Sequence, residues 1–315
     1  MAVGGYPPAT HFLGDLGFTC EVTSDTSARG WTAVGPHVSG ADGGARAGVV
    51  ATLVDVVGGM LGVRILRPDW MATADLTVQL VRPATGPFIE ARVELVRRGR
   101  STMVLEALVA NVTADGTEVL GSGGSSEPPV AWCTTTFAVL PGGNRTTDEE
   151  LPFDLPSRME VGGRGLQHSL VETLDLSVVD AFAGQVSLPV RPYVHNSIGA
   201  VQGGAMALLG DVAATEALGA ATGLGAGAIV VTDLQVAYLT LGRVGPILSR
   251  ATVLDGGGTR VGRAAAPGEV LWGPTSAVVE LVDAGARDRL TTVINARALP
   301  VSEFAAMAPS GAAAT

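Results

Sequence analysis

The sequence predicts an α+β protein in which one architecture occurs twice: an antiparallel sheet wrapped around a single apolar helix. Three observations favour it. A segment rich in Gly, Ala, Val and Leu recurs 156 positions along the chain, at 43–62 and 199–219. Each copy is followed by alternating apolar and polar residues, which is typical of a half-buried strand. Further alternating segments complete each half, so strands and helix segregate as they do in α+β domains.

The predicted order in each half is two strands, one helix and then three or four strands. Before the helices, residues 18–35 and 170–188 each have the turn-separated apolar pattern of a β-hairpin. Strands after the first helix are expected at 74–83, 87–99, 101–116 and 130–140. Strands after the second helix are expected at 232–241, 246–258, 260–271, 276–285 and 290–299.

A cluster of Pro, Gly, Asn and acidic residues separates the two halves and predicts a linker. The length of 315 residues fits two domains of about 100–200 residues each. A hydrophobic share of 47% is sufficient for a core in each half. We expect an N-terminal domain at 1–143, a linker at 144–152, a C-terminal domain at 153–302 and a flexible tail at 303–315.

The composition excludes several kinds of chemistry. All 20 basic residues are Arg, because the sequence contains no Lys. Schiff-base catalysis and a P-loop lysine are therefore excluded, since both need a primary amine. A net charge of −10 without a basic tract argues against a nucleic-acid partner. His11, His37 and His168 have no partner at ligand spacing, so neither a metal nor another cofactor is expected.

Several features predict a cytoplasmic protein. Two cysteines, Cys20 and Cys133, suggest a reducing compartment more than a disulfide framework. The N-terminus lacks the basic region and apolar core of a signal peptide. The most apolar stretch, 203–221, is interrupted by Asp211 and Glu216, so it predicts a buried helix and no membrane partner.

The segment from Asn196 to Asp211 has the pattern most suggestive of catalysis. Gly203 and Gly204 leave backbone N–H groups accessible where a helix begins, and such unpaired donors suit a carbonyl oxygen that gains negative charge. Asn196 adds an amide, and an acid two turns into the helix can activate water or attack directly. The alternative is structural, because a Gly pair often precedes an apolar helix and its Asp is often a satisfied polar group.

The Gly-rich turn, the long helix with Asp and the alternating strand together resemble the hot-dog fold, specifically the PaaI-like acyl-CoA thioesterases. The family motif is Asn, six residues, Gly-Gly, and Asp eight residues after the first Gly; Asn196, Gly203 and Asp211 keep this spacing. Residues 92–124 resemble the strands that close such a domain. The resemblance covers both halves and implies two hot-dog domains in tandem, forming an intramolecular pseudo-dimer.

In this family the active site lies between two hot-dog units, so the resemblance implies that residues of one half act with residues of the other. The second half keeps the Asn and the helix-start Gly, whereas the first half keeps the acid and a Thr near the next strand. The complete site is implied to contain Asn196, Gly203, Asp55 and Thr73. The mirror site is implied to be degenerate, since its positions hold Gly40, Ala47, Asp211 and Val231.

The implied activity is hydrolysis of an acyl-CoA or aryl-CoA thioester. Asp55 would act as base or nucleophile, while the Gly203 N–H and Asn196 would polarise the carbonyl. A homo-oligomer of the double unit is expected. The residues expected to bind substrate are Gln202, Gly204, Arg97, Arg98 and Arg100. The three arginines lie on a predicted hairpin turn, where they either meet CoA phosphates or form a solvated turn.

One position departs from the family pattern. A His commonly precedes the Gly pair, but this sequence has Gln202 in the second half and Arg46 in the first. Gln forms hydrogen bonds as a neutral His does but does not titrate near pH 7. A non-catalytic acyl-CoA binding or sensing protein is therefore the alternative function. A hot-dog hydratase is less favoured, because no Asp and His lie four residues apart on the motif loop.

Overall fold

A computed structural model describes residues 6–113, 128–140, 157–254 and 275–307. Within these ranges the chain forms five α-helices and thirteen strands. The helices are α1 (Phe12–Leu16), α2 (Ala47–Leu66), α3 (Leu170–Thr173), α4 (Gly203–Thr222) and α5 (Val301–Ala305).

The strands of the first half surround α2 in the chain. They are β1 (Phe18–Val22), β2 (Ser27–Ala33), β3 (Trp70–Leu80), β4 (Phe88–Arg98), β5 (Thr102–Val112) and β6 (Ala131–Leu140). The later strands are β7 (Arg158–Val161), β8 (Ser177–Asp180), β9 (Gln185–Leu188), β10 (Ile229–Tyr238), β11 (Ile247–Leu254), β12 (Thr275–Asp283) and β13 (Arg289–Pro300).

All thirteen strands form one antiparallel sheet in the order β7-β1-β2-β4-β5-β6-β3-β10-β13-β12-β11-β9-β8. From one end of the sheet, the first half has the order β1-β2-β4-β5-β6-β3. From the opposite end, the second half has the matching order β8-β9-β11-β12-β13-β10. The halves meet where β3 pairs with β10. Thr77 lies opposite Gln235 there, with Asp75 opposite Ala237 on one side. The described strands of the two halves therefore follow the same order outward from the β3–β10 pair.

The two 20-residue helices lie in the core and pack against each other. Glycines allow the close approach, since a Cβ on Gly48 would lie 2.6 Å from the Leu208 Cα. A Cβ on Gly204 would likewise lie 2.4 Å from the Thr52 hydroxyl oxygen. Most of each helix is buried, so neither helix has a polar face. This explains why polar and apolar residues do not alternate with a period of 3.6 in either segment.

The helix α2 (Ala47–Leu66) is, within the described residues, the one helix long and apolar enough to cross a membrane. It is mostly buried inside the protein, as the core helices of soluble proteins are. The predicted apolar helix at 203–221 corresponds to α4 and is also buried.

The predicted hairpins are present as β1–β2 and β8–β9. Residues 170–173 form the short helix α3, although the sequence analysis included them in a strand segment. Ser169 caps that helix and forms a capping box with Glu172, which favours a helical turn over an extended chain.

Strand β7 crosses the expected division between the halves. Its residues 158–161 lie in the predicted C-terminal domain, but they pair with β1 of the first half. The exposed edge of β1 offers unpaired backbone groups, and β7 satisfies them. The predicted strand at 260–271, the linker at 144–152 and most of the tail lie outside the described residues.

Candidate active site

The Asp55 carboxylate lies in α2, facing the start of α4, and is only 8% exposed. Its Oδ1 accepts a hydrogen bond of 2.7 Å from the Thr73 hydroxyl. Its Oδ2 accepts one of 2.9 Å from the Gln202 Nε2. Two side chains, one from each half, therefore orient one buried carboxylate.

Burial determines the acidity of Asp55. It raises the pKa of this carboxyl from 3.8 to about 6, because a charge is costly away from water. The hydrogen bonds from Thr73 and Gln202 lower the pKa but only partly offset the burial. A carboxyl with this pKa is ionised at neutral pH and remains more basic than an ordinary aspartate, which suits a general base.

Thr73 reaches Asp55 from a β-bulge in β3. The pairing of β3 with β6 shifts register between Thr73 and Asp75. The pairing of β10 with β13 shifts at the equivalent place, between Val231 and Asp233. Val231 therefore occupies in the second half the position that Thr73 occupies in the first, and it has no hydroxyl to donate.

Gln202 is the N-cap of α4. Its Oε1 accepts hydrogen bonds from the Gly204 N–H at 2.6 Å and the Ala205 N–H at 3.2 Å. This fixes the amide so that Nε2 points to Asp55. The side chain is 5% exposed, and its contacts position the Asp55 carboxylate. The expectation that Gln202 also binds substrate stays a prediction.

Gly203 and Gly204 have different surroundings. The Gly204 N–H is taken by Gln202 and its Cα packs on Thr52, so the expected substrate contact has no donor there. The Gly203 N–H lies at the first position of a 20-residue helix and donates no hydrogen bond to any described residue. A Cβ at Gly203 would lie 3.0 Å from the Asp55 Oδ2. A free donor therefore sits beside the buried carboxylate.

Tyr238 is a neighbour of the site that the sequence analysis missed. Its hydroxyl donates a 2.9 Å hydrogen bond to the Gly203 carbonyl oxygen. Burial raises the pKa of Tyr238, and the nearby charges of Asp55 and Asp75 raise it further. The available signal was an aromatic residue in β10 where the equivalent place in β3 holds Leu80.

Asn196 lies in the loop that precedes α4. Its Oδ1 accepts hydrogen bonds from the Ile198 N–H at 3.1 Å and the Ala200 N–H at 2.9 Å. The side-chain oxygen thus shapes the loop, and the amide donors on Nδ2 have no partner among the described residues. Among the described residues, no hydrogen bond joins Asn196 to Asp55.

The mirror site is occupied by its own side chains. Asp211 is 1% exposed, and its Oδ2 accepts a 2.9 Å hydrogen bond from the Gly48 N–H. Its Oδ1 lies 3.4 Å from the Arg46 guanidinium and 3.3 Å from the Thr215 hydroxyl. Asp211 therefore caps α2 and pairs with Arg46. On the other side, Gln202 caps α4 and donates a hydrogen bond to Asp55.

The other predicted residues of the mirror site surround this ion pair or lie near it in the chain. Gly40 forms a turn with Gly44, and Ala47 is the first residue of α2. Next to Arg46 is a cavity of about 250 Å³, lined also by His37, Ser39, Val49 and Leu208.

Arg97, Arg98 and Arg100 are exposed at the turn between β4 and β5. Cross-strand pairing aligns Arg98 with Met103, and continues through Phe137 to Thr73. Three strand spacings separate Arg98 from Thr73, a distance of about 14 Å. The arginines are therefore separated from the Asp55 carboxylate. Arg98 nevertheless lies in cross-strand register with Thr73, the residue that donates to Asp55.

Comparison with known proteins identifies the fold. Residues 47–115 match the family model of the thioesterase superfamily. This region contains Asp55 and Thr73. No curated protein matches the chain.

Solved structures of thioesterases resemble most of the chain. An acyl-ACP thioesterase from Bacteroides thetaiotaomicron is 11% identical and has a TM-score of 0.51, covering 88% of this chain and 100% of its own. A tesB protein from Mycobacterium avium subsp. paratuberculosis is 12% identical, with a TM-score of 0.53 and coverages of 89% and 95%. The protein has the hot-dog fold. A structure described as a putative thioesterase from Novosphingobium aromaticivorans is 16% identical, with a TM-score of 0.52 and coverages of 89% and 97%.

Proposed function

We propose that this hot-dog protein hydrolyses an acyl-CoA or aryl-CoA thioester at one site between its two halves. One observation carries the proposal: the buried Asp55 carboxylate is held by Thr73 and Gln202 beside the free N–H of Gly203. A base next to an unpaired helix-start donor is the arrangement that acyl transfer to water needs.

The proposed reaction uses Asp55 as a general base or as a nucleophile. As a base, the carboxylate removes a proton from water while the water oxygen bonds to the thioester carbon. The C–S bond then breaks, and the sulfur leaves as a thiol after receiving the proton from Asp55. As a nucleophile, Asp55 attacks the thioester carbon, the C–S bond breaks and a thiolate leaves, which gives a transient anhydride. Water then opens the anhydride to the free acid and the Asp55 carboxylate, and the thiolate takes up a proton of that water. In both routes the Gly203 N–H and the Asn196 amide stabilise the negative charge on the carbonyl oxygen.

We propose that the chain is a tandem of two hot-dog domains that forms an intramolecular pseudo-dimer with one working centre. The support is the repeated strand order and the symmetric pairing of β3 with β10. The domain limits at residues 143 and 153 belong to this proposal, with β7 as an exchanged edge strand. We assign Asp211 to the silent centre, because its charge is paired with Arg46 and Val231 has no hydroxyl at the position of Thr73.

The proposed substrate carrier is coenzyme A, in a PaaI-like subtype. Arg97, Arg98 and Arg100 supply cations for its phosphates, and no Lys is available for that purpose. Because one similar structure is described as an acyl-ACP thioesterase, an acyl carrier protein is the competing carrier. A cytoplasmic location and a homo-oligomer of the double unit complete the proposal.

Thiol release tests this function. The assay presents acetyl-, octanoyl- and benzoyl-CoA, and octanoyl-ACP, to the full chain and follows the free thiol with a chromogenic disulfide. We expect turnover of at least one CoA thioester, and loss of it in the Asp55→Asn variant. Release from octanoyl-ACP alone would assign the other carrier, and release that Asp55→Asn retains would contradict the proposed site.

A non-catalytic acyl-CoA binding or sensing protein is the second candidate. The observation in its favour is that Gln202 and Arg46 stand where the family has a titratable His. Stabilisation of the fold by acyl-CoA in a thermal-shift measurement, without thiol release from any substrate, would favour this function.

A further inference from the structure

The Tyr6 hydroxyl is a buried polar group for which the described residues provide no hydrogen-bond partner. Its Oη is inaccessible to solvent and makes no hydrogen bond to any described residue. Buried hydroxyls without a partner are rare, because losing water without a replacement costs about 1–3 kcal/mol. Such a group in a folded protein calls for a ligand or a bound water.

The N-terminal segment, residues 6–17, links the Tyr6 ring through His11 to the loop that precedes α4. The Tyr6 ring packs edge-on against His11, with 5.3 Å between ring centroids. The His11 Nδ1 accepts the Leu13 N–H, so its Nε2 carries the proton and donates to the His195 carbonyl oxygen at 2.8 Å. His195 forms an isolated antiparallel β-bridge with Val201, the residue before Gln202.

A second orphaned atom lies in the same neighbourhood. The Nε2 of His195 is also buried and has no hydrogen-bond partner among the described residues. Two unpartnered polar side-chain atoms thus belong to residues that His11 links, and they indicate a place that a polar ligand completes. Burial raises the pKa of Tyr6, and the charge of Asp55 adds to the effect. Tyr6 therefore keeps its proton and acts as a donor near Asp55.

We propose that the Tyr6 hydroxyl is a further catalytic residue, which donates a hydrogen bond to the carbonyl oxygen of the thioester bound at Asp55. The proposal rests on the proposed function. The attacked carbon must lie against Asp55, so its carbonyl oxygen is the acceptor that the substrate brings into this region. Both oxygens of Asp55 already have donors, which leaves Tyr6 free for the substrate.

The mirror side lacks an equivalent group. Ser169 caps α3 as His11 caps α1, and the Leu170 N–H bonds to the His37 carbonyl oxygen. No tyrosine occurs between residues 157 and 169. Within the described residues, a tyrosine hydroxyl is thus present at this place on the side where Asp55 lies and not at the corresponding place on the other side.

Tyr6→Phe tests the proposal because it removes the hydroxyl and keeps the ring on His11. With the CoA thioester that wild type hydrolyses, we expect kcat to fall about tenfold or more, since oxyanion donors act in the transition state, and KM to change less. The melting temperature of the free protein should stay the same or rise, because an unsatisfied buried group is lost.

The matched control is Tyr193→Phe. The Tyr193 hydroxyl donates to Asp15 of the same N-terminal segment at 2.8 Å, so its loss should lower the melting temperature and leave kcat within about twofold. A Tyr6→Phe variant with wild-type kcat would overturn the proposal while the hydrolase assignment stands.

A second measurement covers the case in which wild type releases no thiol. The ketone thioether 2-oxononyl-CoA, in which a methylene separates the sulfur from a retained carbonyl so that the C–S bond is not hydrolysable, is then titrated in a thermal-shift assay. A smaller shift for Tyr6→Phe than for wild type and Tyr193→Phe would support a Tyr6–ligand hydrogen bond even though the hydrolase proposal fails. An equal shift in all three proteins would overturn the role of Tyr6.

Discussion

Replacing Asp55 by Asn should stabilise the fold and abolish hydrolysis. Each unit of pKa difference corresponds to about 1.4 kcal/mol. The rise of the Asp55 pKa from 3.8 to about 6 therefore costs the native state about 3 kcal/mol at neutral pH. Asn has nearly the same shape without the charge, so the variant avoids this cost.

The dependence on pH has a definite sign. The folded protein holds the Asp55 proton more tightly than the unfolded chain does, since the folded pKa is the higher one. The native state is therefore unaffected by this group below about pH 4, loses stability as pH rises toward 6, and bears the full cost above it. The advantage of Asp55→Asn should appear over the same range and vanish in acid.

The hydrogen bonds at position 55 are compatible with an amide. The Asn oxygen can accept from the Gln202 Nε2, and the Asn amide can donate to the Thr73 hydroxyl oxygen, which also accepts. Because both contacts become neutral and weaker, we expect a net gain of about 1–3 kcal/mol at pH 7.5.

Asp211→Asn is the matched control, since Asp211 is the equivalent residue of the second half. Its carboxylate caps α2 at Gly48 and pairs with Arg46, so neutralising it should cost about 1–3 kcal/mol. Hydrolysis should persist. The measurements are urea unfolding at pH 7.5 and thiol release, both on the two variants and wild type.

The two aspartates should thus respond in opposite directions in both assays. Loss of stability in Asp55→Asn at pH 7.5 would refute the claim that burial of the charge dominates at this position. Equal loss of activity in the two variants would refute the assignment of one working centre.

Three further results are expected. The kcat/KM of wild type should rise with pH and level off above an apparent pKa of about 6, because Asp55 must be ionised; a profile flat from pH 4.5 to 8 would contradict this. Thr73→Val should raise that apparent pKa by removing a donor to Asp55, and Thr73→Ser should restore it, whereas Val231→Thr should leave it unchanged. Gly203→Ala should lower kcat at least about tenfold, since the new Cβ would lie 3.0 Å from the Asp55 Oδ2. The control variant Ala47→Gly should leave kcat unchanged. Equal kcat values for the two variants would refute the crowding argument.

Much of the fold could be predicted because the chain repeats itself. The apolar segments at 43–62 and 199–219 are central helices whose nearly complete burial replaces an amphipathic pattern. Strand β7 could not be predicted, since its pairing with β1 depends on where the chain runs after the first half. Pairing of that kind has no local sequence signal.

The site was predictable where the repeat made positions comparable. Asp55 and Thr73 could be paired because the resemblance to the PaaI-like thioesterases implies an acid and a hydroxyl from one unit, and the repeat located their counterparts Asp211 and Val231. The contact of Gln202 with Asp55 was not predictable, since it depends on how the two halves pack. Tyr238 was missed because it reaches Gly203 from a distant part of the chain and belongs to no motif.

A structure of the Asp55→Asn variant with an intact acyl-CoA bound tests the central claim most directly. The account predicts that the thioester carbonyl oxygen lies within about 3.2 Å of the Gly203 nitrogen, with the carbonyl carbon facing the side chain at position 55. A thioester bound instead in the cavity beside Arg46 and Asp211, or one remote from Gly203, would contradict it.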